Sequence, residues 1–221
     1  MNGTLYVIAT PIGNLEDITL RALRILKEVD YILCEDTRVT KKLLDRYEIE
    51  TKSMSYNVHS SKSKENSIVE LLKNSQNLAL VSDAGTPCIS DPGVLLISRL
   101  KEEGIEVVPI PGPSALISAL SASGIPSSEF TFLGFLPHKK GREKLFKEIA
   151  KSKRTMVFYE SPHRLMKTLN SLKEHTDKDI VVAKEISKQF EEFISGKADE
   201  IIAYLEDNQK KQKGEFVIII K

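Results

Sequence analysis

Leu78-Ala79-Leu80-Val81-Ser82-Asp83-Ala84-Gly85-Thr86-Pro87 is the stretch on which the architecture turns. Its four leading apolar residues read as a short buried strand. They run directly into a polar, glycine-bearing loop that ends in proline. Asp83 therefore stands at the carboxyl end of a strand. Ala84 and Gly85 behind it are small enough for a ligand to approach the backbone. Open α/β sheets bind their ligands outside the carboxyl ends of the strands. The irregular stretch continues through Asp91-Pro92-Gly93 to a helix start, and long irregular loops in compact domains tend to carry function. Asp83 equally suits a turn or helix cap.

Outward from this loop, apolar runs and helical periodicities alternate. Towards the N-terminus, Leu5–Thr10 reads as a buried strand ending in the turn Pro11-Ile12-Gly13-Asn14. Asn14 or Asp17 is the expected cap of a helix whose apolar face is Ile18, Ala22, Ile25, Leu26 and Val29. Tyr31–Cys34 is a second strand. It leads through Glu35-Asp36-Thr37-Arg38 into a helix to about Tyr47. Ser55–Lys64 reads as a polar loop and Asn66–Lys73 as a helix. Towards the C-terminus, Gly93–Glu103 is helical and Val107–Ile110 a strand. After Pro111-Gly112-Pro113, Ser114 caps a small-residue helix to about Ala122. Strands alternating with helices imply a mostly parallel sheet.

The texture changes after Ile125-Pro126. Strands are expected at Phe130–Phe135, Met156–Tyr159, Ile180–Ala183, Phe193–Ile194 and Phe216–Ile220. Helices are expected at Gly141–Lys151, Pro162–Glu174 and Ala198–Leu205. Two α/β domains result, residues 1–112 and 113–221.

Composition narrows the function classes. The chain has 221 residues, 41% hydrophobic and 29% charged, enough for a core in each domain. Its net charge of +1 argues against a polybasic protein but permits a local basic patch. Two cysteines, Cys34 and Cys88, lie far apart with no metal-ligand spacing, so no metal is expected and both read as small buried thiols. A secretory leader and a membrane-length apolar run are not seen, which points to a cytoplasmic protein with no membrane partner.

Three further pieces invite chemistry. Pro111-Gly112-Pro113-Ser114-Ala115 opens a helix whose N-terminus favours an anionic group, or is simply capped by Ser114. Glu35-Asp36-Thr37-Arg38 follows the second strand, on the same sheet edge as the Asp83 loop. A carboxylate there suits proton acceptance, and Arg38 suits a phosphate; the alternative is a capped helix start with a local ion pair. Glu160 with His163-Arg164 is a second such group, with surface structure as its alternative. His138-Lys139-Lys140-Gly141-Arg142, Lys144, Lys147, Lys151, Lys153 and Arg154 form the densest basic stretch, beside Phe135. That combination suits phosphate contact and base stacking, or a solvated helix face. The Gly-x-Gly-x-x-Gly and Gly-x-x-x-x-Gly-Lys-Ser/Thr fingerprints are missing, against a nicotinamide oxidoreductase or a P-loop enzyme.

Seven motifs occur in order: Thr10–Leu15, Glu35–Arg38, Ser82–Pro87, Ser90–Gly93, Pro111–Ala115, Gly134–Pro137 and Phe158–Arg164. In this order they closely resemble the ribosomal RNA small-subunit methyltransferase I family, within the tetrapyrrole-methylase-like superfamily. The resemblance spans Leu5 to Val217. It implies a two-domain α/β fold with a mostly parallel N-terminal sheet, a mixed C-terminal sheet and S-adenosylmethionine in a cleft between them. It implies 2′-O-methylation of a cytidine in the decoding region of small-subunit (16S) ribosomal RNA, on free RNA or the assembled 30S subunit, by a protein that is often a homodimer.

Carried over by motif, the cofactor contacts are Pro11, Gly13, Asp83, Gly85, Thr86, Ser114 and Ala115, then Tyr159, Glu185, Ile186 and Gly214. Glu35, Asp36 and Arg38 are the candidate catalytic residues. Lys139, Lys140, Arg142, His163 and Arg164 are the candidate RNA contacts. Many family members continue into a small basic helical segment, whereas this sequence ends at Lys221, the segment being either naturally missing or trimmed; if that segment grips RNA elsewhere, the expectation here is a greater reliance on the core or a partly assembled ribosomal subunit as substrate. Relatives that methylate a tetrapyrrole or a protein side chain, and a ribosome-binding factor without catalysis, remain alternatives, because one fold hosts several acceptors.

Overall fold

The computed structural model describes residues 2–221, which divide into two compact units, one ending at Ser114 and the other spanning Ala115–Lys221. The first holds five strands: β1 (Thr4–Ile8), β2 (Tyr31–Cys34), β3 (Lys52–Ser55), β4 (Leu78–Val81) and β5 (Glu106–Ile110). Their order is β3-β2-β4-β1-β5, and every neighbouring pair is parallel. The helices are α1 (Leu20–Glu28), α2 (Thr37–Arg46), α3 (Lys62–Lys73) and α4 (Val94–Glu102).

Strand alternation sorts these helices onto two faces. Ile8, Ile32, Ala79 and Val81 pack with Ala22, Ile25 and Leu26 of α1 and Leu43 and Leu44 of α2. The intervening Leu5, Leu33, Leu78 and Leu80 pack with Ile68 and Leu72 of α3 and Leu96 and Leu100 of α4. The central strands are thus covered on both faces, which is why Leu78–Val81 carries no polar residue.

The second unit holds β6 (Phe130–Phe135), β7 (Thr155–Glu160), β8 (Ile180–Lys184), β9 (Glu192–Gly196) and β10 (Phe216–Ile220), in the order β6-β7-β10-β8-β9. Only β6 and β7 are parallel; the other pairs are antiparallel. Helices α6 (Arg142–Lys151), α7 (Leu165–His175) and α8 (Ala198–Asp207) cover one face through Phe146, Leu169, Leu172, Ile201 and Leu205, against Phe158 and Ile218. Helix α5 (Ala115–Ala122) lies against β7 and β10. A parallel sheet in the first unit and a mixed sheet in the second match the expected fold class.

Three local expectations are corrected. Asn14 caps not α1 but a short 3-10 turn, Leu15–Asp17, that intervenes. Thr19 then caps α1, its hydroxyl accepting from the Ala22 amide at 3.1 Å. The polar run Ser55–Lys64 conceals a strand end and a helix start: β3 closes at Ser55, and Ser61 caps α3 one residue before Lys62.

Candidate functional site

In the first unit, the site grows from the carboxyl ends of β1, β4 and β5. β1 and β4 are neighbours whose following helices pack on opposite faces, so their loops diverge and leave a crevice at the sheet edge. The two loops are tied to each other. Thr10 and Gly85 exchange backbone hydrogen bonds of 2.9 and 3.0 Å, and the Thr10 hydroxyl donates to Ser82 O at 3.0 Å. Gly85 has φ +79, where a side chain is strained. A Cβ there would also enter the space between Ile12 and Pro113 O, at 3.4 and 3.9 Å. Thr86 Oγ1 donates to that same Pro113 O at 3.2 Å. Gly112 lies so close to β1 that a Cβ would sit 2.9 Å from Ala9 Cβ. Pro11, Gly13, Gly85, Thr86 and Ser114 therefore belong to three interlocked loops with little side-chain bulk, a backbone cradle suited to an extended small molecule.

Carboxylates line its flank. The Asp36 amide donates to Asp83 Oδ1 at 3.1 Å, which joins the turn after β2 to the loop after β4. Glu35 is half-buried, and desolvation together with the charges of Asp83 and Asp36 raises its pKa. Asp91 is pushed up to about 6, first by burial and then by the charges of Glu35 and Asp83, against a Ser82 hydrogen bond that works downward. Asp36 goes the other way. Hydrogen bonds from Arg38 hold it at about 2, and the Arg38 guanidinium engages both its oxygens, at 3.0 and 2.6 Å. Asp36 also caps α2, accepting from the Arg38 amide at 2.8 Å. A carboxylate committed in this way is a weak base, so of the pair Glu35 suits proton acceptance better. A cradle flanked by carboxylates favours a cationic small molecule, as a sulfonium carrying an ammonium group is.

Asp91 was visible in sequence only as part of Ser-Asp-Pro-Gly. The sign that could have singled it out is an acid inside a stretch too apolar to solvate it, between Pro87-Cys88-Ile89 and the α4 start.

The second unit gathers another group. At the end of β8, Glu185 has φ 49 and accepts from the Glu215 amide at 2.8 Å and from Lys188 at 3.0 Å. Burial works to raise its pKa, but those donors hold it below the ordinary range. Gly214 has φ +115, and a Cβ there would strike the Glu185 side chain at 2.6 Å. Ile186 is buried beside this junction, and Tyr159 packs edge-on against Phe132 at 5.0 Å. Ala115 opens α5.

Two of the candidate RNA contacts, one buried and one half-buried, engage groups of their own unit. Arg142 is 8% exposed; its Nη2 donates to Thr168 Oγ1 at 2.6 Å and its Nη1 to Pro137 O at 3.2 Å. Arg164 Nε lies 2.8 Å from Glu160 Oε1, and its Nη1 donates to Leu136 O at 2.7 Å. Both guanidiniums are held inside the unit around the buried Glu160, Arg142 through its two Nη atoms. Lys139, Lys140 and His163 are exposed. Two of the three lysines of α6 face glutamates, Lys147–Glu143 at 3.5 Å and Lys144–Glu148 at 3.9 Å, so the basic stretch is weaker than its sequence suggests. Among the described residues, no helix is long and apolar enough to cross a membrane, and no group of three or more His, Cys, Asp and Glu is arranged to hold a metal ion.

Residues 4–202 match the family of tetrapyrrole (corrin/porphyrin) methylases. The ribosomal RNA small subunit methyltransferase I of Thermotoga maritima is 48% identical over 219 residues, 99% of this chain and 98% of the relative. That of Bacillus subtilis is 47% identical over 221 residues, 99% of this chain and 75% of the relative. Among solved structures, a cobalt precorrin-4 methyltransferase of cobalamin biosynthesis superposes with a TM-score of 0.68 at 17% identity, covering 98% of this chain and 94% of the other. A uroporphyrin-III-C-methyltransferase from Thermus thermophilus does so at 0.65, also at 17% identity. At that identity the two structures speak for the fold alone.

Proposed function

The chain belongs to the tetrapyrrole methylase family, and within it to the ribosomal RNA small subunit methyltransferase I group; from that premise we propose that it methylates the 2′-hydroxyl of a cytidine in the decoding region of small-subunit ribosomal RNA. The methyl donor of the family is S-adenosylmethionine, which supplies a methyl group already activated on a sulfonium. Positioning then supplies much of the rate, and the chain's further task is to handle the proton of a weakly acidic ribose hydroxyl.

The residues take the following roles in this reading. Pro11, Gly13, Gly85, Thr86 and Ser114 hold the donor through backbone, and Asp83 meets its cationic end. Ala115, Tyr159, Glu185, Ile186 and Gly214 are further donor contacts. Glu35 accepts the hydroxyl proton. Asp36 fixes Arg38, whose side chain is 87% exposed and free on its outer edge to take an RNA phosphate. Lys139, Lys140 and His163 contact the RNA backbone. The acceptor is presented as free RNA or within the 30S subunit, to a homodimer.

The observation that carries the base assignment is the 3.1 Å bond from the Asp36 amide to Asp83, because it ties the proton-accepting turn to the donor loop. Tetrapyrrole and protein acceptors are disfavoured by the full-length likeness to ribosomal RNA methyltransferases. The test is single-turnover methyl transfer from labelled donor to isolated small subunits, with donor affinity measured by calorimetry and the product nucleoside identified by mass spectrometry. Glu35→Gln is expected to slow transfer by about 10²–10³ at unchanged donor affinity. Asp36→Asn, still a good cap, is expected to slow it less than about tenfold. An unchanged rate for Glu35→Gln removes the base assignment. Methyl on the base, or on no RNA at all, removes the acceptor.

A further inference from the structure

Strand β6 contains a bulge. Phe132 pairs with Val157 and Phe135 with Tyr159, so three residues on β6 span two on β7. Regular alternation would send Phe132 and Phe135 to opposite faces. The extra residue, with Gly134 at φ +62, brings both rings against Tyr159, at 5.0 and 5.5 Å. Phe132 is half-buried, whereas Phe135 keeps 55% of its surface in water. A large aromatic supported from behind by a second ring and open in front is an exposed stacking face.

The loop that follows Phe135 is basic and rigidly held. Leu136 O accepts from Arg164 and Pro137 O from Arg142, the two buried guanidiniums described above. The Arg142 amide donates to Lys139 O at 3.3 Å. Glu160, 2% exposed, anchors both arginines, directly through Arg164 and through Thr168, whose hydroxyl donates to Glu160 Oε2 at 2.6 Å. His138, Lys139 and Lys140 stay exposed on a backbone clamped from below, and none of the three has an acidic partner among the ion pairs of the described residues.

We propose that Phe135, backed by Tyr159, together with the clamped His138–Lys140 loop, binds an unpaired nucleotide of the RNA substrate, the base stacked on the Phe135 ring and the adjoining phosphates held by Lys139 and Lys140. This rests on the proposed RNA methylation and narrows its substrate to single-stranded or looped RNA, because a paired base has no free face to offer. Charge favours this occupant over an apolar partner: the ledge continues into unpaired cations, which an apolar interface would have to desolvate.

The test uses the full chain. Binding of a labelled unstructured RNA oligonucleotide and of an RNA duplex is measured across salt, beside methyl transfer to isolated small subunits and sedimentation. The wild type is expected to prefer the single strand. Phe135→Ala is expected to weaken it about tenfold, the scale of one base–aromatic stack, with the salt slope unchanged. Phe135→Tyr is expected to restore binding. Lys139→Glu with Lys140→Glu is expected to flatten the slope by roughly 1.4, for two single-strand phosphates. The proposal is overturned if Phe135→Ala binds and methylates like the wild type. Equal competition by duplex also overturns it, and so does a loss of oligomeric state in Phe135→Ala with RNA binding intact, which gives the ledge to a second copy. If the wild type itself transfers no methyl to small subunits, the RNA reading fails and this inference with it; transfer that is insensitive to Phe135 sinks the inference alone.

Discussion

Asp91 is a residue whose charge works against the fold. Its carboxyl is pushed up to about 6 because burial and the neighbouring Glu35 and Asp83 disfavour a further negative charge. A folded-state pKa above the unfolded value of about 3.9 means the folded protein binds the proton more tightly. Its contribution is therefore fully present below about pH 4 and is lost as pH rises through 6. Asp91→Asn removes that loss. It is expected to be more stable than the wild type at pH 8, by on the order of 1 kcal/mol after allowing for partial solvent screening, with the gain fading towards pH 4. Urea unfolding at both pH values checks this. A gain of equal size at pH 4 would mean that charge is not the cause.

At the scale of elements, Arg142 and Glu160 carry the lesson about legibility. Arg142 stands in a run of lysines and reads as part of an RNA-facing surface. Yet Arg142, Phe146 and Ile149 are spaced i, i+4, i+7, and all three are buried along one stripe of α6. The periodicity was available in the sequence, but an arginine is not normally counted as apolar. Its guanidinium lies over Phe146, with the guanidinium carbon 5.0 Å from the ring centroid. Strand β3 was hidden for a related reason: Lys52-Ser53-Met54-Ser55 is an edge strand, too polar to show a buried pattern. The central strands Tyr31–Cys34 and Leu78–Val81 were legible to the residue, because burial on both faces leaves an unbroken apolar run. The loops joined by Thr10 and Gly85 were legible as separate motifs, whereas their hydrogen bonds across 75 residues were not. The buried network makes its own prediction. Glu160→Gln leaves two buried guanidiniums facing a neutral amide and is expected to cost roughly 3 kcal/mol. Thr168→Val, which removes a bridging hydroxyl, is expected to cost about 1–2 kcal/mol. Denaturant midpoints measure both; a Glu160→Gln loss no larger than that of Thr168→Val would show the arginines are satisfied without the charge.

For the whole molecule, the net charge of +1 hides an uneven distribution. Glu35, Asp36, Asp83 and Asp91 gather at one sheet edge of the first unit, while exposed His138–Lys140 belong to the second. Such a partition suits a cationic donor and a polyanionic acceptor handled by different residues, and it separates the ways in which each kind of variant should fail. Donor binding acts on the folded state by mass action, so S-adenosylmethionine at a hundred times its dissociation constant should add about 2.7 kcal/mol. For a chain of this length that is roughly 5–10 °C in Tm. Gly112→Ala drives a methyl group against Ala9 across the β1–β5 edge. It should lower Tm in the absence of donor by a few degrees, at a cost of ~1–3 kcal/mol, and abolish most of the donor-induced rise. Lys139→Glu with Lys140→Glu should leave both quantities at wild-type values. Thermal unfolding of the three proteins with and without donor decides the matter. A full donor-induced rise in Gly112→Ala would show that the cradle tolerates the methyl group, and would move the donor away from the loops of Ile12, Gly85 and Pro113.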